Sequence, residues 1–385
     1  MKGYLLRAVK LLCFILAVGI CTGVLQEYVL CHADHNRERV KGFYREDVDS
    51  LDVVYLGASE VYSDIAPGYS YRRDGITSYI FATQANSMLN YKSQLKNVLS
   101  RQKDALIVIE LNGAVYEDDE DVTKEANLRN YSDNVPLDLT KAEWIARNIK
   151  DNQLEYVFPI MKYHGVWSDL GAEEKYRKTI IDDKQRGYNY LKGIVNWPVL
   201  FKSPQKSLNS TLAASRDKKQ PITELSETAL RDLLEYCRSE KLTNVVFARF
   251  PHIVTERTFE RFERGNTVGD IVAEYGFDYL NYERDIAQIG LDENKDFYNP
   301  DHLNVYGQQK FTAFLTDHLK EHYSLSSHTL TDRQTQEWEI CADYYEAYVK
   351  YNESLMGTPD VAELSEDYEL IAKLKDLLPE KNSNE

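Results

Sequence analysis

Five short apolar runs, Val53–Leu56, Ser78–Ala82, Ala105–Leu111, Val245–Phe250 and Phe277–Leu280, alternate with longer stretches of helical periodicity. Runs that are apolar throughout, rather than at every second residue, read as strands covered on both faces. Strands of that kind separated by helices specify an α/β domain with a largely parallel sheet, because a parallel connection needs a crossover long enough to hold a helix. The spacing predicts a helix over Leu89–Arg101 leading into the strongest strand, and Pro251 should stop the fourth strand at the sheet edge.

The N-terminus sets where such a domain would sit. Leu11 to Leu30 is a nearly uninterrupted apolar run preceded by Lys2, Arg7 and Lys10. It is long enough to span a bilayer. Positive residues before the run, and none inside it, predict a cytoplasmic N-terminus, with the chain after Cys31 outside the plasma membrane as a single-pass protein. A cleaved signal peptide is the alternative, but Gln26, Glu27 and Tyr28 stand where small cleavage-site residues would be expected. Cys21 follows Ile20 rather than a small residue, which argues against lipid attachment. Cys13, Cys21 and Cys31 lie in or beside the anchor, leaving Cys237 and Cys341 for the rest of the chain. Two cysteines make neither a disulfide scaffold nor a CxxC-type metal cluster. Cys237, on the amphipathic stretch Leu225–Ser239, reads as a small core residue, and one bridge between Cys237 and Cys341 stays open.

The formal charge of −16 argues against a nucleic-acid partner, since phosphate binding needs clustered Lys and Arg. The 28 tyrosines suit sugar or polymer surfaces and core filling equally well. Neither a phosphate-binding glycine loop nor an HExxH zinc motif is present, so no cofactor and no metal are expected. The chain divides into an N-terminus and anchor over 1–33, an extracytoplasmic α/β domain over 34–330, and a C-terminal helix and charged tail over 331–385. An insertion over about 116–220 interrupts the strand–helix rhythm. Its aromatic cluster, Tyr156, Phe158, Tyr163, His164, Trp167, Tyr188, Tyr190 and Trp197, suggests a helical lid or substrate platform, or the small core that an insertion this long needs. His164 and Trp167 are its candidate substrate contacts. The insertion leaves the chain directly after a central strand, which predicts a position over the sheet's carboxyl edge. The C-terminal region predicts one amphipathic helix over Asp332–Leu355, with Trp338, Ala342, Tyr345, Tyr348 and Tyr351 as its apolar stripe. A short helix over Asp367–Leu378 and a disordered Glu380–Glu385 are expected beyond it.

Two segments carry chemistry. Leu51-Asp52-Val53-Val54-Tyr55-Leu56 runs into Gly57-Ala58-Ser59-Glu60-Val61-Tyr62, where small residues allow a sharp turn and leave the Ser59 hydroxyl exposed at the strand's carboxyl end. Asn299-Pro300-Asp301-His302-Leu303-Asn304 places an imidazole in a loop just before a helix. A serine nucleophile needs an adjacent base, and that base needs an orienting acceptor, so a distant Ser and His with Asp or Asn nearby form the minimum constellation. Taken singly, each segment is weak: a small-x-Ser turn after a strand often only caps a helix. Their joint position matters more, because both would fall at the carboxyl edge of a parallel sheet, where sites in such sheets assemble.

Tyr55-Leu56-Gly57-Ala58-Ser59-Glu60 and Asp301-His302-Leu303-Asn304-Val305-Tyr306-Gly307-Gln308-Gln309-Lys310-Phe311-Thr312 resemble the nucleophile block and the last block of the SGNH (GDSL-like) hydrolases. The likeness is to the membrane-anchored branch that includes the D-alanyl transfer protein of teichoic-acid modification and the hydrolase-like partners of polysaccharide O-acetylation. Less specifically, Leu106-Ile107-Val108-Ile109-Glu110-Leu111-Asn112-Gly113 resembles the strand that carries the family's oxyanion-hole asparagine. The resemblance implies a flavodoxin-like parallel sheet flanked by helices, and acyl transfer or ester hydrolysis. Ser59 would be the nucleophile and His302 the base. The backbone N–H of Ser59 or Ala58 would form the oxyanion hole, with Gly75 and Asn112 as weaker candidates. One departure stands out: the family's last block usually has an aspartate three residues before the histidine, and this chain has Asn299. Asn299 would orient His302 without the charge that stabilises an imidazolium, with Asp301 as understudy.

The expected function is therefore a membrane-anchored serine esterase or acyltransferase acting on acyl groups, such as O-acetyl, of an envelope polysaccharide or an acyl-carrier substrate. A membrane-bound O-acyltransferase is the expected partner. Two other readings compete: a non-catalytic binding component of the same fold docked to such an acyltransferase, and an envelope assembly protein that uses its helices for protein contacts alone.

Overall fold

The computed structural model describes residues 2–28, 35–163, 190–326 and 328–356. Each apolar run becomes a strand: β1 Val53–Gly57, β2 Ser78–Ala82, β3 Leu106–Glu110, β4 Val245–Arg249 and β5 Tyr279–Asn281. Every residue of the first four is buried, as strands covered on both faces must be. All neighbours pair in parallel, in the order β2-β1-β3-β4-β5. In that order successive connections run to opposite sides of β1, so the crevice at the carboxyl ends of β1 and β3 is where such sheets bind ligands. The expected α/β class with a parallel sheet is observed.

Helices cover both faces. After α1 Lys2–Tyr28 come α2 His35–Phe43, α3 Ser59–Asp64, α4 Pro67–Asp74 and α5 Met88–Leu99. The insertion contributes α6 Asp119–Thr123, α7 Glu125–Ser132, α8 Leu139–Asn148 and α9 Gln153–Val157. Then follow α10 Glu224–Ser239, α11 Phe259–Glu274, α12 Ile286–Ile289, α13 Val305–His322 and α14 Asp332–Leu355, with a small antiparallel pair, β6 Phe297–Asn299 and β7 His302–Leu303, just before α13. One core joins Val53, Tyr55, Ile80 and Val108 to α3, α13 and α14. On the other face Val54, Leu56, Tyr79 and Ile107 meet α5, α10 and α11.

Within α1, Gly3–Leu25 is long and apolar enough to cross a membrane, and none of it is buried against the rest of the chain. By length, composition and position it fits an anchor or a signal sequence. Cys237 and Cys341 are both buried and are not bonded to each other, so the bridge left open by the sequence is not formed. Burial pushes the Cys237 thiol up to about 12.

The insertion does two things. Leu128, Trp144, Ile145, Ile149 and Tyr156 make a small core of their own against α5, where Trp144 Nε1 donates to the Leu89 carbonyl at 3.0 Å. Residues 190–201 instead run along α3 and β6: Val195 N donates to Tyr62 O at 3.0 Å and Phe201 N to Phe297 O at 2.9 Å. This segment lies at the carboxyl edge expected for the insertion, as do Asn209, which donates to His252 O and Glu283 O past β4 and β5, and Tyr116, which donates to Asn86 O past β2, whereas the core around Trp144 packs against α5. Tyr190 and Trp197 pack on the sheet core and Tyr156 on the small one, so these three aromatics of the insertion fill cores. His164, Trp167 and Tyr188 lie outside the described residues. So does Asp367–Glu385, with the helix and the disordered end expected there.

Candidate active site at the carboxyl edge

The turn from β1 into α3 is a packing constraint before it is a chemical one. A Cβ on Gly57 would meet Val61 Cγ2 at 2.6 Å and Glu110 Cβ at 2.9 Å, so only glycine lets β1 pass this close to β3 while turning into the helix. Ala58 is buried at the N-cap of α3. Ser59 follows, half-buried, at the carboxyl end of β1. Its hydroxyl donates to Glu60 Oε2 at 3.4 Å, a long bond.

His302 is held over the same helix from several sides. Leu303 N donates to Asp64 Oδ1 at 2.9 Å, and Tyr298 and Ser63 share a hydroxyl–hydroxyl bond of 3.0 Å, so the β6–β7 pair is stitched to α3. The Tyr298 ring stacks on the imidazole, with centroids 5.2 Å apart and planes 2° from parallel. Asn299 Oδ1 takes two bonds, from Asp301 N at 2.9 Å and from His302 Nδ1 at 2.8 Å. An amide oxygen can only accept, so Nδ1 carries the hydrogen and Nε2 keeps its lone pair. That Nε2 is buried and has no hydrogen-bond partner among the described residues.

Asn299, not Asp301, therefore faces the ring: the Asp301 carboxylate pairs with the Arg261 guanidinium instead. Burial works to raise Asp301, but Arg261 and His252 hold it well below the usual carboxylate range. The expected Ser59–His302 hydrogen bond is not formed: the serine hydroxyl rests on its neighbour Glu60, and His302 Nε2 has no partner among the described residues. Gly75 is a correction too. It caps α4 in the left-handed region (φ 73°) before β2 begins. That is the amino edge of the sheet, whereas Ser59 leaves the carboxyl edge, where Gly57 pairs with Ala82 at the end of β2. A strand of five residues, about 16 Å at ~3.3 Å per residue, separates them.

Asn112 follows β3 at the correct edge. Its Oδ1 accepts from Arg249 Nη1 at 2.8 Å. Since arginine only donates, this fixes the amide and leaves Asn112 Nδ2 as an uncommitted donor.

Behind Ser59 lies a charged cluster that sequence reasoning missed. Glu60, Glu110, Arg249, His252 and Glu283 are all buried, each at or just past the end of β1, β3, β4 or β5. His252 Nε2 stands 3.4 Å from Glu60 Oε1, and its Nδ1 stands 2.8 Å from Phe250 O and 3.1 Å from Glu283 Oε1. Arg249 Nε is 3.1 Å from the same Glu283 oxygen, and Nη1 is 3.8 Å from Glu110 Oε1. The available signal was a charged residue within or just past four of the five apolar runs: Glu60, Glu110, Arg249 and Glu283.

Burial would raise the Glu60 carboxyl, but the His252 bond and the charges of His302 and His252 hold it below its ordinary value. Burial likewise opposes Glu283, which Arg249 and His252 bring down to about 2. His252 goes up, because Glu283 and Glu60 outweigh burial and Arg249. Glu110 is pushed up to about 8 by burial and by Glu60, against Arg249. The shifts favour ionised Glu60 and Glu283 beside the Arg249 guanidinium, both ring nitrogens of His252 face acceptors, and Glu110 keeps its proton up to about 8. Burial lowers His302, with Glu60 and Asp301 opposing, so its imidazole is neutral near neutral pH.

A separate cavity of about 220 Å³ lies between α5, α8 and α10, lined by Met88, Trp144 and Leu225 among others, and touches none of these residues. Compared with known protein families and with curated proteins, the chain matches none.

Proposed function

We propose that the protein is an SGNH-type serine esterase or acyltransferase, anchored by α1 with its α/β domain outside the plasma membrane, acting on acyl groups of an envelope polysaccharide. The observation that carries this reading is His302: Nδ1–H is committed to Asn299 at 2.8 Å, while a buried, unpartnered Nε2 is left over the helix that Ser59 begins. A buried lone pair without a donor is costly unless a proton is brought to it. In the reaction, Ser59 Oγ attacks the acyl carbonyl carbon as His302 Nε2 takes the hydroxyl proton. The carbonyl oxygen becomes an oxyanion, which the Ser59 or Ala58 N–H and the Asn112 amide would stabilise. His302 then returns the proton to the departing alkoxide, leaving an acyl-serine. Water or a sugar hydroxyl resolves it, with a membrane-bound O-acyltransferase as the partner that supplies or receives the acyl group.

A second reading has its own observation. The Ser59 hydroxyl rests on Glu60, and position 299 holds an amide, as would suit a polysaccharide-binding component that has given up catalysis. Labelling with a fluorophosphonate and turnover of p-nitrophenyl acetate separate the two. Under the enzyme reading Ser59→Ala and His302→Ala each remove labelling and nearly all turnover, and combining them removes no more, because the pair acts as a unit. A wild-type protein inert to both probes that still binds acetylated polysaccharide would leave the binding reading standing.

A further inference from the structure

A carboxylate buried beside a nucleophile needs a physical cause, because an unpaired buried charge is expensive. Glu60 is 2% exposed and adjoins Ser59 on α3. Oε1 faces His252, which accounts for the charge's survival, yet pairing does not require Oε2 to accept from the reacting hydroxyl. On the other side of α3 is the β6–β7 pair, with His302 oriented by an uncharged amide.

We propose that Glu60 is the carboxylate of this catalytic site: it holds the Ser59 hydroxyl at rest and supplies, during attack, the negative charge that Asn299 lacks, from the helix to which the His302 strand is bonded through Leu303 N and Asp64. The inference rests on the acyl-transfer reading of Ser59 and His302. In the step itself the Ser59 O–H turns from Glu60 to His302 Nε2. The O–H bond breaks, its proton passes to Nε2, and the Oγ–carbon bond forms as the carbonyl π pair moves onto oxygen. Glu60 stays ionised throughout and is a counter-ion to the imidazolium, the part an aspartate plays elsewhere from behind the ring.

The groups whose charges bear on His302 are Glu60, Asp301, His252 and Arg261. Asp301 is tied to Arg261 and Glu60 to His252; of the two anions Glu60 bears more on the ring, and it opposes the lowering caused by burial. On the far side of Glu60 the cluster keeps this charge in place: His252 bonds to Glu60, the Arg249 guanidinium pairs with Glu283, and Glu110 keeps its proton up to about 8. The nearby Asp64 is raised well above the ordinary carboxylate range by burial and by Glu60, against the bond from Leu303 N, so the charge on this part of α3 is weighted toward Glu60.

The test is Glu60→Gln in the full-length protein, with the His302 titration followed by NMR and p-nitrophenyl acetate turnover followed against pH. Removing the anion should lower the His302 pKa, move the acid limb of the rate profile to lower pH, and cut kcat roughly tenfold or more with KM little changed. Adding Asn299→Asp to Glu60→Gln puts a charge back against the ring and should restore most of the rate. If Glu60→Gln does not fold, Glu60→Asp, which withdraws the charge by one methylene, should show the same shifts in smaller measure. A folded Glu60→Gln protein with an unmoved His302 titration and rate profile, beside an active wild type, overturns the Glu60 assignment alone. An inert wild type overturns the acyl-transfer reading and the catalytic role of Glu60 with it.

Discussion

Asn299 accepts two hydrogen bonds on one oxygen, from the Asp301 backbone and from His302 Nδ1, so replacing it alters both the loop and the imidazole. Asn299→Asp keeps both acceptors and adds a charge. It should raise the His302 pKa, move the acid limb of ester turnover to higher pH, and increase the rate about tenfold. In the unaltered protein that limb should fall below the ordinary histidine value of 6.5, since burial lowers His302. A limb at or above that value would show that the ring is better solvated than its packing under Tyr298 implies. Glu110 offers a check of a different kind. In the folded chain it keeps its proton up to about 8, against 4.5 when exposed. Between those values the folded state binds the extra proton, so stability falls as pH rises through the window. Glu110→Gln removes that slope. Calorimetry should find the variant's Tm close to the parent's at about pH 5 and higher by roughly 2–8 °C at about pH 9.

At the scale of elements, the helix that follows His302 is fixed by its cap. Asn304 Oδ1 accepts from Tyr306 N at 3.0 Å and Gly307 N at 3.3 Å, while its Nδ2 donates to Lys295 O at 2.7 Å and to Val199 O and Phe297 O at 3.3 Å. One side chain thus caps α13, closes the loop before β6 and holds the passing insertion segment. Asn304→Ala should cost about 2–4 kcal/mol in urea denaturation, the sum of a lost cap and newly unsatisfied carbonyls. A cost below about 1 kcal/mol would reduce Asn304 to an ordinary cap. The elements themselves were largely legible. β2 and α14 have the bounds expected from apolar runs and helical spacing, and the other strands differ at their ends by one or two residues. The charged cluster was not legible, for a topological reason. Glu60, Glu110, Arg249 and Glu283 each look like a solvated strand end in sequence, and only the order β1-β3-β4-β5 brings four such ends together under cover. The resting place of the Ser59 hydroxyl was hidden for the opposite reason. Its acceptor is the adjacent residue, and whether a neighbour's side chain turns inward is decided by what waits there, here His252.

Across the whole molecule, the C-terminal helix reaches the site through two tyrosines, Tyr348 and Tyr345. Tyr348 of α14 accepts from Asn196 N at 2.8 Å and donates to Asn196 O at 3.1 Å. The Asn196 side chain in turn donates to Ser63 O at 2.8 Å and to Leu303 O at 2.9 Å, bridging the helix that begins with Ser59 and the strand that carries His302. Gln308 reinforces the join: its Nε2 donates to Ser63 O at 2.8 Å and its Oε1 accepts from Tyr345 of α14 at 3.0 Å. The distance between serine and histidine is therefore set by parts of the chain more than a hundred residues apart. Two substitutions separate this chain of contacts from general stability. Tyr348→Phe keeps the ring in the core and removes only the hydroxyl, so it should cost about 1–2 kcal/mol through the unpaired Asn196 backbone and reduce ester turnover modestly. Asn196→Ala removes the bridge itself and should cost about 1–3 kcal/mol, since the Leu303 carbonyl loses its side-chain donor while Ser63 O keeps Gln308. It should also lower kcat far more than Tyr348→Phe, with KM little changed, since the groups that act in the transition state are misplaced while the binding surface remains. Denaturation midpoints and steady-state turnover of p-nitrophenyl acetate, measured on the two variants side by side, give both quantities. Equal losses of kcat per kcal/mol in the two would mean that Asn196 only stabilises the fold; a disproportionate loss in Asn196→Ala is what a bridge between the serine helix and the histidine strand requires.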